Sequence, residues 1–282
     1  MDDINRNTNL EEAVIVEWNE HMFSTDLERF PIHPDSPYDP EPRYDDPLAV
    51  YLQRLDDDGI DHGVIVQPTP YWDDHSLLLD CLEREPRRLH GTCLFNPQDL
   101  DAGRKMVDLV AQQERIIACR FHGLEGMDQP APATYAAGVL SQWRQALELG
   151  LVVELHINAK YARATAAALR EMPESTVLID HLAEPHTTSA VDYADLLDLA
   201  SFDQVFMKLS GLGHFAGDAP LYASAMPFTA RVIAAYGPDN LVWGSGTPDI
   251  VDAHMPRHTE AERKQVKGDN LARLLQVEDQ KP

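Results

Sequence analysis

Side chains able to do chemistry recur in this chain at short, regular intervals. Arg120 and His122 stand two apart, as do Glu154 and His156, and Lys208 and Ser210, with His214 four residues on. Asn19-Glu20-His21, Asp180-His181 and Ser245-Gly246-Thr247-Pro248-Asp249 complete the set. A spacing of two puts both side chains on one side of an extended strand. Imidazoles titrate near neutral pH, so they move protons or ligate metals. Glu154 sits in an apolar run, where an ionised carboxylate needs a partner; Arg120, His156 or Lys208 can supply it. One histidine in such a place is ordinarily a hydrogen-bonded structural residue. Of the twelve present, five (His21, His122, His156, His181 and His214) lie at the ends of such runs, and that concentration points to a shared polar site.

The elements that must position them are short β-branched runs. These begin at Val14, Gly63, Gly91, Ile116, Leu151, Thr176, Val205 and Leu241. Nearly continuous apolar runs suit parallel strands buried on both faces. Amphipathic stretches separate them. One opens at Asp46-Pro47 and closes at Gly59; others cover the leucines around Cys81, 134–150, 160–171, the stretch around Tyr193, 221–236 and 258–276. Eight strands alternating with helices predict one (β/α)8 barrel of the TIM type spanning 1–282, with a doubly wound open sheet as the alternative. Barrel chemistry gathers at the carboxyl ends of the strands, where the residues above fall. The long Pro-rich connection 22–45 reads as a lid, and His33 lies in it. His62 precedes the second strand and reads as structural, His75 as a support to the site. His33, His90, His186, His254 and His258 read as mainly solvated.

Composition narrows the partners. With 23 Lys+Arg against 47 Asp+Glu, the net charge is −24, which argues against nucleic acid and anionic membranes. The N-terminal Met1-Asp2-Asp3-Ile4-Asn5 lacks the apolar run of a signal peptide, and no stretch is long and apolar enough to span a bilayer. Three cysteines, Cys81, Cys93 and Cys119, read as reduced thiols in apolar surroundings. These features fit a cytoplasmic protein; a homo-oligomer stays open.

The strand-end sequences resemble the amidohydrolase-related family, in the branch of 2-pyrone-4,6-dicarboxylate lactonase and sugar-acid lactonases. The resemblance covers about 12–275. It is carried by Val66-Gln67-Pro68-Thr69-Pro70-Tyr71, Leu77-Leu78-Leu79-Asp80, Cys119-Arg120-Phe121, Glu154-Leu155-His156 and Val177-Leu178-Ile179-Asp180-His181-Leu182. Lys208-Leu209-Ser210-Gly211, Leu241-Val242-Trp243-Gly244-Ser245 and Asp269-Asn270-Leu271-Ala272-Arg273-Leu274 are the strongest pieces. Against the family pattern, Asn19 replaces the first histidine of a His-x-His pair, Gly246 replaces the usual aspartate after the eighth strand, and His214 stands where an arginine is expected.

The resemblance implies a hydrolase acting on the lactone, or a related C–O or C–N bond, of a small carboxylated or polyhydroxylated acid. Arg120 resembles the family's carboxylate clamp, with Tyr38, Tyr71, His122, His214, Asn19, Lys208 and Ser210 as further substrate contacts. His181, His156 and His21 are the candidate proton-transfer groups, with His181 also able to polarise a carbonyl. Asp249 or Glu154 is the candidate substitute for the missing aspartate, although Asp249 reads equally as a turn residue or helix cap. With Asn19 and Gly246 in place, the family's usual metal set is broken, and the expectation is a metal-free site. If one zinc does bind, His21, His156 and His181 are its ligands, with Glu154 a possible fourth. A lyase or isomerase on the same scaffold, such as a decarboxylase or lactone isomerase, and a catalytically silent ligand binder are the alternatives.

Overall fold

The computed structural model describes residues 14–123 and 133–277. Strands and helices alternate along it: β1 Val16–Glu20, α1 Pro47–Asp57, β2 His62–Val66, α2 Ser76–Arg84, β3 Leu89–Leu94, α3 Ala102–Gln112, β4 Ile116–His122, α4 Ala133–Glu148 and β5 Val152–His156. They continue as α5 Ala162–Glu171, β6 Val177–Ile179, α6 Ala190–Asp198, β7 Val205–Leu209, α7 Met226–Tyr236, β8 Leu241–Trp243, α8 Asp249–His254, α9 Glu260–Lys264 and α10 Asn270–Leu275. The strands are parallel and lie side by side in chain order. Trp18 N–H donates to Gly244 C=O (3.2 Å), joining the last strand to the first. The (β/α)8 barrel expected from the alternation is the fold.

Two apolar clusters reflect the two faces of the strands. Val16, Trp18, Val64, Val66, Ala118, Val152, Leu178, Phe206 and Val242 fill the barrel interior. A larger cluster, including Val153, Ile179, Met207 and Trp243, packs the outer strand faces against the helices. Strand periodicity then fixes what lies two residues beyond each inner apolar residue. Ala118 is followed by Arg120, Val152 by Glu154, Leu178 by Asp180, Phe206 by Lys208 and Val242 by Gly244. The barrel is therefore apolar at depth and charged one layer higher, at the carboxyl ends of its strands.

Local signals explain most boundaries. The Asp46 carboxylate accepts from Ala49 N–H, Pro47 opens α1, and Gly59 follows it at φ +65. Strand β1 begins at Val16 rather than Val14, so Asn19 and Glu20 lie within it. The single helix expected over 258–276 is instead α9 and α10 around a π-turn at Gln265–Asp269. There the backbone runs so close to β1 that a Cβ on Gly268 would lie 1.7 Å from Val14 O, and the widened turn makes that approach possible.

The 22–45 connection is pinned at its base and over β2. Thr25 N–H and Tyr44 N–H bond Tyr44 O and Phe23 O, Ser24 N–H donates to the Tyr71 hydroxyl, and His33 N–H donates to Pro70 O. Two histidines depart from the expected solvation. His90 is buried within β3, and buried His254 accepts from or donates to Thr229 Oγ1 while its Nε2–H donates to Leu221 O. Both stand at apolar positions of their elements, which loop-like flanking sequence hid. His62 is buried at the start of β2, away from the strand ends. All three cysteines are buried and unbridged. Among the described residues no helix is long and apolar enough to cross a membrane. The Met1–Asn5 segment lies outside the described residues.

Candidate active site

At the floor of the barrel mouth, Lys208 Nζ lies 2.6 Å from both Glu154 Oε1 and Asp180 Oδ1. Arg120 Nη2 donates to Asp180 Oδ2 (3.1 Å) and to His156 Nδ1 (2.9 Å). Lys208, Glu154 and Asp180 have no exposed surface and Arg120 has 3 %. Gly244 makes the room: a Cβ there would lie 2.4 Å from Lys208 Cδ. Burial pushes the Asp180 carboxyl up, but Lys208 and then Arg120 outweigh it and hold the group well below the usual carboxylate range. At Glu154 burial wins over Lys208 and the carboxyl is raised. Among the described residues Arg120 Nε and Glu154 Oε2 have no hydrogen-bond partner, and Asp180 Oδ1 meets only the Lys208 charge.

Above it runs a row of imidazoles. Ring centroids are 4.5 Å apart for His122 and His156, 5.0 Å for His156 and His181, and 4.9 Å for His181 and His214. Partner chemistry fixes several tautomers. A guanidinium only donates, so His156 Nδ1 accepts and its proton sits on Nε2, 3.4 Å from Glu184 Oε1. A carbonyl only accepts, so His21 donates through Nδ1 to Val66 O (2.8 Å) and keeps Nε2 free. Burial, with Arg120 next, lowers the His21 pKa to about 3. His181 Nδ1 meets Ser210 Oγ at 2.8 Å, and burial lowers its pKa as well. Gly211, at φ +63, lets the His181 ring lie on the backbone; a Cβ would come within 2.6 Å of it.

The turn that carries His181 is unusual. His181, Leu182, Ala183 and Glu184 all have φ between 51 and 56. For residues other than glycine the left-handed region costs about 1–2 kcal/mol each. That run swings Glu184 back over the row, where its carboxylate accepts from His214 Nδ1–H (2.8 Å) and lies 3.7 Å from His186 Nδ1.

Beside the row opens a cavity of about 280 Å³ lined by Tyr38, Trp72, Phe95, Arg120, Phe121 and His122. The 22–45 loop supplies Tyr38 to its wall. Of the residues singled out in the sequence, the structure gathers His156, His181, His122, His214, Arg120, Glu154, Lys208 and Ser210, with His21 at the neighbouring strand end. Asn19 Oδ1 is buried without a partner among the described residues. Tyr71 is spent on Ser24 N–H. Asp249 is exposed in the first turn of α8 and its N–H bonds Thr247 Oγ1, so it makes no contact with this network. The sequence sets Asp180 at the end of the sixth strand without giving it a role in the site, and Glu184 is not among its candidates. Strand parity with Leu178 turns Asp180 inward; nothing local announces the left-handed turn that delivers Glu184.

His156, Asp180 and His181 offer ligand atoms within 4.8 Å of one another, so the possible metal triad contains Asp180 rather than His21. The set does not fit a divalent cation as arranged. Arg120 already bonds His156 Nδ1 and Asp180 Oδ2, and Lys208 holds Asp180 Oδ1. A dication would have to displace these contacts to reach the donor atoms.

Comparison with known proteins agrees with the barrel. The profile of the Amidohydrolase family matches residues 21–277. A 4-sulfomuconolactone hydrolase of Rhizobium radiobacter is 30% identical over 78% of this chain and 71% of its own length. A 2-pyrone-4,6-dicarboxylate hydrolase of Comamonas testosteroni is 23% identical over 84% of this chain and 77% of its own. The solved structure of an amidohydrolase from Burkholderia multivorans with bound zinc superposes with a TM-score of 0.69 at 18% identity, covering 94% of this chain and 99% of that one. With the family profile covering nearly the whole described barrel and a relative at that identity, this chain belongs to the amidohydrolase family.

Proposed function

We propose that this protein hydrolyses the lactone ring of a small carboxylated acid and does so without a metal ion. The observation that carries the reading is Arg120. Its guanidinium is buried, lines the aromatic cavity, and keeps an Nε–H with no partner among the described residues. A buried unpaired donor on a fixed cation is a strong recognition element for a carboxylate. The aromatic walls suit the flat ring that bears it. His181 stands next to the clamp; when Ser210 donates to its Nδ1, the imidazole proton is on Nε2 and can polarise the ring carbonyl. The lactone hydrolases among its relatives act on acids of this kind, by their names. That Arg120 and Lys208 already engage His156 Nδ1 and both Asp180 oxygens supports the metal-free part.

The test is a panel of carboxylated lactones, read for substrate loss and proton release together. One proton per turnover is expected, unchanged by a chelator, from protein with no stoichiometric metal. Arg120→Lys keeps the charge and loses the fork, and should raise KM by ~10-fold or more. Substrate loss without acid would replace the reading with isomerisation, and chelator-sensitive turnover would remove its metal-free part.

A further inference from the structure

Hydrolysis needs a group that takes a proton from water, and the earlier candidates are poorly placed for it. Asp249 is exposed on α8, Glu154 is sealed beneath Lys208, and His21 has little basicity. Resting on the lactonase reading, we propose that Glu184 and His214 form a carboxylate–histidine dyad in which His214 Nε2 is the general base. His214 Nδ1–H donates to Glu184 Oε1 at 2.8 Å, which fixes the tautomer and turns Nε2 into the free nitrogen. Among the described residues Nε2 has no hydrogen-bond partner. The His214 side chain is 46 % exposed, so water reaches it. Its ring packs edge-on against His181 at the end of the imidazole row that starts beside the cavity. A base oriented by a third group through its other nitrogen is the arrangement that activates nucleophiles in unrelated hydrolases.

In the step, a water proton passes to His214 Nε2 as the water oxygen bonds to the lactone carbonyl carbon. The tetrahedral intermediate collapses by breaking the ring C–O bond, and the ring oxygen takes the proton from Nε2. The product is a hydroxy acid that releases its carboxylic proton to solvent, and His214 is neutral again. Among the described residues, Glu184 bonds the imidazole and His181 packs against it, both from the left-handed turn, and the Asp180 charge at the end of β6 acts on it from further off. Hydrogen bonding to Glu184 is the largest influence and raises the His214 pKa, so the free base is the more basic for it.

Full-length wild type, His214→Ala and Glu184→Gln are compared on a lactone that the wild type hydrolyses, with melting temperature as the check on folding. Loss of a general base lowers kcat by about 100-fold or more in His214→Ala, and added imidazole should restore part of it. In the wild type, kcat/KM rises with pH as His214 loses its proton. In Glu184→Gln that limb should move to lower pH, and an NMR titration should show the His214 pKa falling with it. A structural role alone moves neither the limb nor the imidazole rescue. If the wild type hydrolyses lactones while His214→Ala keeps its rate within threefold, the base role is overturned and the lactonase reading stands. If the pH limb and the NMR titration are the same in Glu184→Gln as in wild type, the dyad is overturned. If the wild type hydrolyses no lactone, the functional reading falls and the base role with it.

Discussion

Two clusters of charge, one buried and one half-buried, sit on opposite faces of the barrel wall. Inside, Arg120 and Lys208 face Glu154 and Asp180, two cations against two carboxylates. Outside, between β1 and α1, the single guanidinium of Arg54 serves both Glu17 (2.5 Å) and Glu20 (3.0 Å), with the Tyr51 hydroxyl donating to Glu17 at 3.0 Å. The inner cluster is balanced, and Asp180 stays ionised far below its ordinary range. The outer one has a carboxylate too many. Burial, then Glu17, pushes the Glu20 pKa up to about 7, and burial raises Glu17 as well. Balance keeps the carboxylates of the inner cluster paired; imbalance leaves the outer one with a proton to be held.

The comparison is broken most severely by Lys208→Met, which strands buried Glu154 and leaves Asp180 to Arg120 alone. A loss of about 3–5 kcal/mol in urea unfolding is expected; a loss below about 1 kcal/mol would mean that the inner balance is not what holds the core. Arg54→Met removes the only cation of the outer cluster, but from a side chain one-third exposed. It should cost about 1–3 kcal/mol at pH 8 and less at pH 5, where the carboxyls take up protons. Glu20→Gln sharpens the contrast. The folded pKa of Glu20 lies above the ordinary 4.5, so its proton-linked stability is full below that value and lost as pH rises through about 7. The neutral variant should gain ~1–2 kcal/mol over wild type at pH 8 and nothing at pH 4.5. Ser210→Ala, which removes only the hydroxyl at His181 Nδ1, should cost about 0.5–1.5 kcal/mol in the same assay.

Much of the inner cluster was legible because strands announce themselves two residues at a time. Arg120, Glu154 and Lys208 each follow an inward apolar residue by two, and the eight runs give the barrel. Asp180 was harder: β6 has only three residues, and the chain turns immediately after it. The outer cluster went unread since Glu17 and Arg54 are distant in sequence and meet only when α1 docks on β1. Glu184 was hidden for a different reason. Left-handed backbone usually shows itself as glycine, and Leu182, Ala183 and Glu184 carry no such sign. His90 and His254 were misread because loop-like flanks say little about which way a ring faces.

The run of four left-handed residues also has a mechanical side. Each torsion there is held against its own preference by the packing around buried Leu182 and Ala183, so the segment has no neighbouring well of the same hand to relax into. It behaves as a short stiff bar, anchored at one end by His181 on Ser210 and at the other by Glu184 on His214. The spacing of the imidazole row is therefore written into backbone torsions, and not left to side-chain rotamers alone.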